Sequence, residues 1–171
     1  GFGSIGKEIA LRASSFGMKV NYFDPFFKDH DFKLKKYSNI SFDDLCSTSD
    51  FIVLACSLNK DNINIINKDS IAKMIKRPYI INVSRGPLIN EKDLIKALDE
   101  KKIRGAGLDV FEKEPLPITS QLTNKSNCIL GSHNSSNTIE SVERVNNITI
   151  DIIINLSKTS IDEIYLGNRI I

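Results

Sequence analysis

The sequence predicts an α/β protein built as a doubly wound parallel sheet. Short runs rich in Ile and Val alternate with segments of helical period along most of the 171 residues. The runs "FIVLAC" and "YIINV" are continuously apolar rather than alternating, which is the pattern of strands covered on both faces. The chain also opens on "GFGSIGKEIA", a glycine-rich turn leading into a helix.

Each element follows from local chemistry. "SIGKEIALRASSF" places Ile5, Ile9, Ala10 and Ala13 on one helical face, and Gly17 ends that helix. "MKVNYF" reads as a strand stopped at Asp24-Pro25, because proline cannot donate to a ladder. "SFDDLCS" reads as a short helix with Ser41 as N-cap and Asp44 three residues on. "FIVLAC" is a buried strand, "KDSIAKMIK" a helix and "YIINV" the next strand. "NEKDLIKALDEKK" is a helix capped by Asn90, with Asp93 at N3 and Leu94, Ile95 and Leu98 facing inward. "GAGLDVF" and "CILGS" are the last two strands. A long helix then runs from Thr138 to Lys158, with Val142, Val145, Ile148, Ile152 and Leu156 on one stripe.

Composition narrows the function classes. The chain has 23 basic and 21 acidic residues spread along it, a net charge of +2, and no dense Lys/Arg stripe of the kind that binds nucleic acid. Its apolar runs fall far short of the ~20 residues that a bilayer-spanning helix needs, so no membrane is expected. Cys46, Cys56 and Cys128 are widely spaced among apolar neighbours and read as reduced thiols of a cytoplasmic protein. No C-x-x-C and no histidine cluster points to a metal.

Gly1, Gly3 and Gly6 match the strand-to-helix turn of a Rossmann-like dinucleotide site. Gly1 permits the tight turn, Gly3 a close approach to a pyrophosphate, and Gly6 close packing of the helix on its strand. Gly3, Ser4, Ile5 and Gly6 begin the helix, whose free N–H groups and dipole favour an anion. Asp24 lies about 20 residues on, at the end of the second strand, where a carboxylate binds the adenosine ribose and repels the extra phosphate of NADP. NAD is therefore the expected cofactor, while FAD sites use similar glycines.

Three polar residues follow predicted strands: Arg85 after "YIINV", Glu114 after "GAGLDV" and His133 after "CIL". In open α/β sheets the ligand crevice lies at the carboxyl ends of the strands, so the three are expected to converge. Histidine moves a proton near neutral pH, an adjacent carboxylate orients it, and arginine grips a substrate carboxylate with two prongs.

The blocks "GFGSIGKEIA", "YFDP", "NVSRGPLINEKDLIKAL", "GAGLDVFEKEPLP" and "SHNSSNTIE" resemble, in order, the D-isomer-specific 2-hydroxyacid dehydrogenases. The resemblance covers Gly1 to about Leu156. It departs from the family at Ser57-Leu58-Asn59 and at Ser132 before the histidine.

The resemblance implies that Arg85 binds substrate, that Glu114 and His133 form the acid–base pair, and that Asp109 supports the nicotinamide end. Asn82, Val83 and Ser84 would run past the nicotinamide ring. The substrate would be a small 2-keto or 2-hydroxy acid, and the protein a homodimer. The resemblance further implies a dinucleotide domain over 1–137, with 138–171 a crossover helix and tail returning to a substrate domain. It implies that the first strand of the sheet lies outside this chain, so that these residues alone would expose unpaired edges and aggregate. Two other readings are an NAD-sensing binding module and a short-chain dehydrogenase. The second needs Tyr-x-x-x-Lys, and none of Tyr22, Tyr37, Tyr79 and Tyr165 has a lysine four residues on.

Overall fold

The computed structural model describes residues 1–27 and 36–158. The chain divides into two compact units at His133/Asn134. The first unit holds helices α1 (Ser4–Ser15), α2 (Phe42–Thr48), α3 (Lys68–Ala72) and α4 (Glu91–Asp99). Its strands are β1 (Asn21–Tyr22), β2 (Ser38–Asn39), β3 (Phe51–Leu54), β4 (Tyr79–Asn82), β5 (Gly105–Leu108) and β6 (Cys128–Leu130). The second unit carries the long helix α5 (Ile139–Lys158), close to the expected bounds, while the expected tail at 159–171 lies outside the described residues.

Among the described residues every strand pair is parallel, as the apolar runs predict. Strands β3-β4-β5-β6 form one sheet in sequence order, and β1-β2 a separate ribbon. The register aligns Leu54, Asn82, Leu108 and Leu130 in one row at the carboxyl edge. Ile52, Leu54, Ile80 and Leu108 from the strands pack against Ile66, Leu88, Leu94 and Leu98 in the main core, each 7% exposed or less. Burying one such side chain contributes about 1.5–3 kcal/mol.

The caps form as the sequence predicts. Ser41 accepts from the Asp44 amide, and Asn90 from the Asp93 amide. Gly17 takes φ +77°, and the Met18 amide reaches back to the Ala13 carbonyl to close α1. Asn67, which the sequence reading passes over, closes a capping box with Ser70 at the start of α3.

Four local expectations are corrected. The strand over 18–23 shrinks to Asn21–Tyr22, because among the described residues it pairs with the two-residue β2, itself not expected from "YSN". Helix α3 ends at Ala72, where Lys73 and Met74 turn back onto Ser70 and Ile71 by tighter bonds. The "FIVLAC" strand stops at Leu54. Ile5 is 57% exposed, since α1 packs instead through Gly6 and Ala10.

A cleft of about 680 Å³ separates β1 from β3, lined among others by Tyr22, Phe23, Ile52, Val53, Gly1 and Ala10. Beyond it, Phe2 is 1% exposed and stacks on Tyr22 at 3.8 Å, with Tyr37 and Phe27 edge-on. This second aromatic core seats the glycine turn on β1. All three cysteines are free, and burial pushes the Cys46 thiol up to about 11.

Candidate active site

The carboxyl edge of the sheet is built from loops that the backbone stitches together strand by strand. Ser84 Oγ donates to the Cys56 carbonyl, tying the loop after β4 to the loop after β3. The Asp109 amide donates to the Asn82 carbonyl at 3.0 Å, and the His133 amide to the Asp109 carbonyl at 2.8 Å. The Gly131 amide donates to the Leu108 carbonyl at 2.7 Å. Because the last residues of β4, β5 and β6 share one row, Arg85, Glu114 and His133 leave the sheet at the same edge. Of the three, the structure joins Glu114 and His133 side chain to side chain, while Arg85 follows β4 on the same edge.

Glu114 and His133 are joined directly. Glu114 Oε2 lies 2.6 Å from His133 Nδ1, and Glu114 Oε1 accepts the Phe111 amide at 3.0 Å. Both carboxylate oxygens are therefore engaged, and the pair is made through Nδ1 of the ring. The histidine bond, then the Phe111 amide, hold the Glu114 carboxyl below its ordinary range against opposing burial, with the Arg85 charge adding to the effect. His133 itself takes φ +57°, a left-handed conformation that histidine adopts more readily than most side chains.

The lowered Glu114 value carries a pH signature. A carboxylate depressed on folding contributes stability above its unfolded value of about 4.5, which is lost as pH falls through the folded value. Thermal unfolding of the full-length protein and of Glu114→Gln, followed from neutral pH into acid, should therefore differ. The wild type is expected to lose more stability below pH 4.5 than the variant does. Parallel profiles would contradict the charged pair.

Arg85 is exposed, and one of its guanidinium nitrogens donates to the Ser84 carbonyl at 2.7 Å. Its loop is set by Asn82, a fully buried side chain at the end of β4. Asn82 Nδ2 donates to the Arg85 carbonyl at 2.9 Å, and Asn82 Oδ1 accepts the Ser84 amide at 3.0 Å. Asn82 thus folds the turn that presents Arg85, and Val83 and Ser84 lie half-buried along it. Asp109 is 8% exposed, and a Cβ on Gly131 would meet its carboxylate at 2.3 Å.

The glycine turn meets this edge from the other side. A Cβ on Gly1 would lie 2.6 Å from the Cys56 amide nitrogen, and one on Gly6 only 2.4 Å from the Gly1 carbonyl. Both positions therefore require glycine for close backbone approach. Gly3 differs, since a Cβ there meets no protein atom within 4 Å. As N-cap of α1 it offers no side-chain bond, so the first N–H groups of the helix, at Ser4, Ile5 and Gly6, stay available to an anion.

Asp24 sits beside that turn. Its Oδ2 accepts the Phe2 amide at 2.7 Å and its Oδ1 the Phe26 amide at 3.0 Å. Burial opposes ionisation, but these amides outweigh it and the carboxyl lies below its ordinary value. Asn39 brackets the Asp24 backbone, donating to its carbonyl at 3.1 Å and accepting its amide at 3.3 Å. This acceptor carboxylate and the open helix end fit a dinucleotide.

Sequence reasoning missed several supports: Asn39, Phe111 and the close approaches at Gly86 and Gly131. An asparagine directly before "VSRG" at a strand end is a turn-forming signal that could have revealed the Asn82 role. The others depend on distant segments. Among the described residues no group of three His, Cys, Asp or Glu could hold a metal, and no helix is long and apolar enough to cross a membrane.

A parallel α/β sheet with an anion-receptive glycine turn, an acidic residue after β1 and a His–Glu pair at the carboxyl edge defines a Rossmann-like dinucleotide-binding domain. Residues 1–135 match the family described as "D-isomer specific 2-hydroxyacid dehydrogenase, NAD binding domain", and the chain belongs to that family. It is 39% identical to a glyoxylate reductase of Thermofilum pendens, over 85% of this chain and 43% of that protein. It is 38% identical to a D-3-phosphoglycerate dehydrogenase of Bacillus subtilis, over 82% of this chain and 26% of that one.

Among solved structures, D-lactate dehydrogenase of Aquifex aeolicus with NAD and lactic acid superimposes with a TM-score of 0.80. That match has 32% identity and covers 92% of this chain and 52% of the other. A putative family member from Polaromonas gives a TM-score of 0.84 at 33% identity, over 92% of this chain and 49% of that one. The chain thus spans about half the length, or less, of the proteins it matches, and NAD is the cofactor of its domain family.

Proposed function

We propose that the full-length protein interconverts a small D-2-hydroxy acid and its 2-keto acid, using NAD. The observation that carries this reading is the 2.6 Å Glu114–His133 pair, placed at the same sheet edge as Arg85 and the glycine turn. When bound, NAD supplies the hydride acceptor for the hydroxy acid, or in reduced form the donor for the keto acid.

The chain's own residues supply the rest. Glu114, held ionised, faces His133 Nδ1 at 2.6 Å and so orients the ring. Nε2 then protonates the keto oxygen in the reductive direction and removes the hydroxyl proton in the other. Arg85 binds the substrate carboxylate in a bidentate grip, and its charge polarises the neighbouring carbonyl. Gly1, Gly3, Ser4, Ile5 and Gly6 receive the pyrophosphate, and Asp24 the ribose. Val83, Ser84 and Asp109 line the nicotinamide end, with Asn82 acting through the turn it folds. The homodimer and the cytoplasmic location expected from the sequence belong to the same proposal.

The test follows NADH loss by the full-length protein with glyoxylate, hydroxypyruvate, phosphohydroxypyruvate and pyruvate, beside His133→Gln. Turnover of one acid, abolished in the variant, supports the reading. Tight NADH binding with no turnover of any of them would replace it with an NAD-sensing module.

Cofactor choice is tested at Asp24. Asp24→Asn keeps an acceptor for the Phe2 amide and removes the negative charge. NADPH affinity relative to NADH is expected to rise about tenfold, read by fluorescence titration. An unchanged ratio would remove Asp24 from the ribose site.

A further inference from the structure

We propose that Glu91 and Glu112 are positioning residues that lock the Arg85 loop to the loop carrying Glu114. The inference rests on the roles proposed above for Arg85 and Glu114. Two glutamates, one opening α4 and one in the loop after β5, cap each other's backbone. The Glu91 amide donates to Glu112 Oε1 at 2.9 Å, and the Glu112 amide donates to Glu91 Oε1 at 2.5 Å.

The two segments also touch backbone to backbone. A Cβ on Gly86 would fall 1.8 Å from the Phe111 carbonyl oxygen, so glycine beside Arg85 is what allows that contact. Between the two contacts the chain is pinned by a 3-10 turn over Gly86–Leu88 and by Leu88 and Ile89, which are at most 2% exposed. On the other side, Phe111 is 6% exposed and donates the amide that holds Glu114 Oε1. The reciprocal bonds therefore join a short rigid path ending at Arg85 to one ending at Glu114.

Stability alone does not explain the choice of two acids. Burial raises the Glu91 carboxyl, the bond from the Glu112 amide partly offsets this, and the neighbouring Glu112 charge adds a smaller rise. The fold keeps two like charges together because each reaches the other segment's N–H group, and the α4 N-terminus tolerates them. A clamp of this kind sets the distance between the carboxylate-binding arginine and the acid–base pair.

The test is a double-mutant cycle in the full-length protein, reading kcat, the keto-acid KM and the NADH Kd. Glu91→Ala is expected to raise the keto-acid KM about tenfold by leaving the Glu112 amide without its acceptor. NADH affinity should not change. Glu91→Gln should restore KM to within about twofold, because the amide oxygen still accepts. In an Arg85→Ala background, Glu91→Ala should add no further rise in KM, since both act on the same grip.

Independent, multiplying effects on KM would overturn the clamp while leaving Arg85 as the substrate arginine. An Arg85→Ala variant with unchanged KM would instead overturn the proposed site, and the clamp with it. If Glu91→Ala does not fold, Glu112→Ala opens the clamp from the other side, with the same outcomes.

Discussion

His133→Gln is expected to lower kcat by about three orders of magnitude while NADH binds as before. The glutamine amide can still accept or donate a hydrogen bond, but it cannot deliver a proton to the keto oxygen. Cofactor affinity should persist because the glycine turn and Asp24 stand on α1 and β1, whereas His133 follows β6. Glu114→Gln should show a milder loss of kcat, since the imidazole remains and only its charged partner is gone. A fluorescence titration with NADH and a stopped-flow measurement of one turnover separate binding from chemistry. Normal single-turnover rates in His133→Gln would assign the proton to another group.

Arg85→Ala is expected to cost about 3 kcal/mol of transition-state binding, or on the order of 100-fold in kcat/KM. Most of that loss should appear in KM. The carboxylate is held alike in substrate and transition state, and only the polarisation of the carbonyl belongs to the transition state alone. Arg85→Lys should recover about tenfold of the loss, because the charge returns without the planar fork. The Ser84 carbonyl, which holds one Arg85 nitrogen at 2.7 Å, fixes the approach of that fork, and a lysine cannot use it in the same way. Full rescue by lysine would mean that charge alone binds the substrate.

The fold was legible where local chemistry dominates. The apolar runs became β3, β4, β5 and β6, and the caps at Ser41, Asn90 and Gly17 formed at the residues whose side chains or backbone freedom ask for them. Legibility failed where pairing, not propensity, decides a strand. "MKVNYF" has the pattern for six residues yet keeps only two in a ladder, since a strand extends only as far as its neighbour does. Ser38–Asn39 has no strand pattern and pairs because it lies beside Asn21–Tyr22.

The candidate site divides in the same way. Residue types and their places after strands single out Arg85, Glu114 and His133 as candidates, because parallel strands end on one edge, and glycine spacing singles out the turn at Gly1, Gly3 and Gly6. No spacing rule shows that Phe111 holds Glu114, that Asn82 spends its side chain on the Arg85 turn, or that Glu91 and Glu112 exchange bonds across 21 positions. Hydrophobic period, capping and glycine placement are properties of neighbouring residues, so the sequence by itself determined the parallel α/β architecture and the chemistry available at its carboxyl edge. Distances between loops arise from the register of β4, β5 and β6 and from close backbone approaches at Gly1, Gly86 and Gly131. Those are contacts between distant segments, and only the tertiary structure decided them.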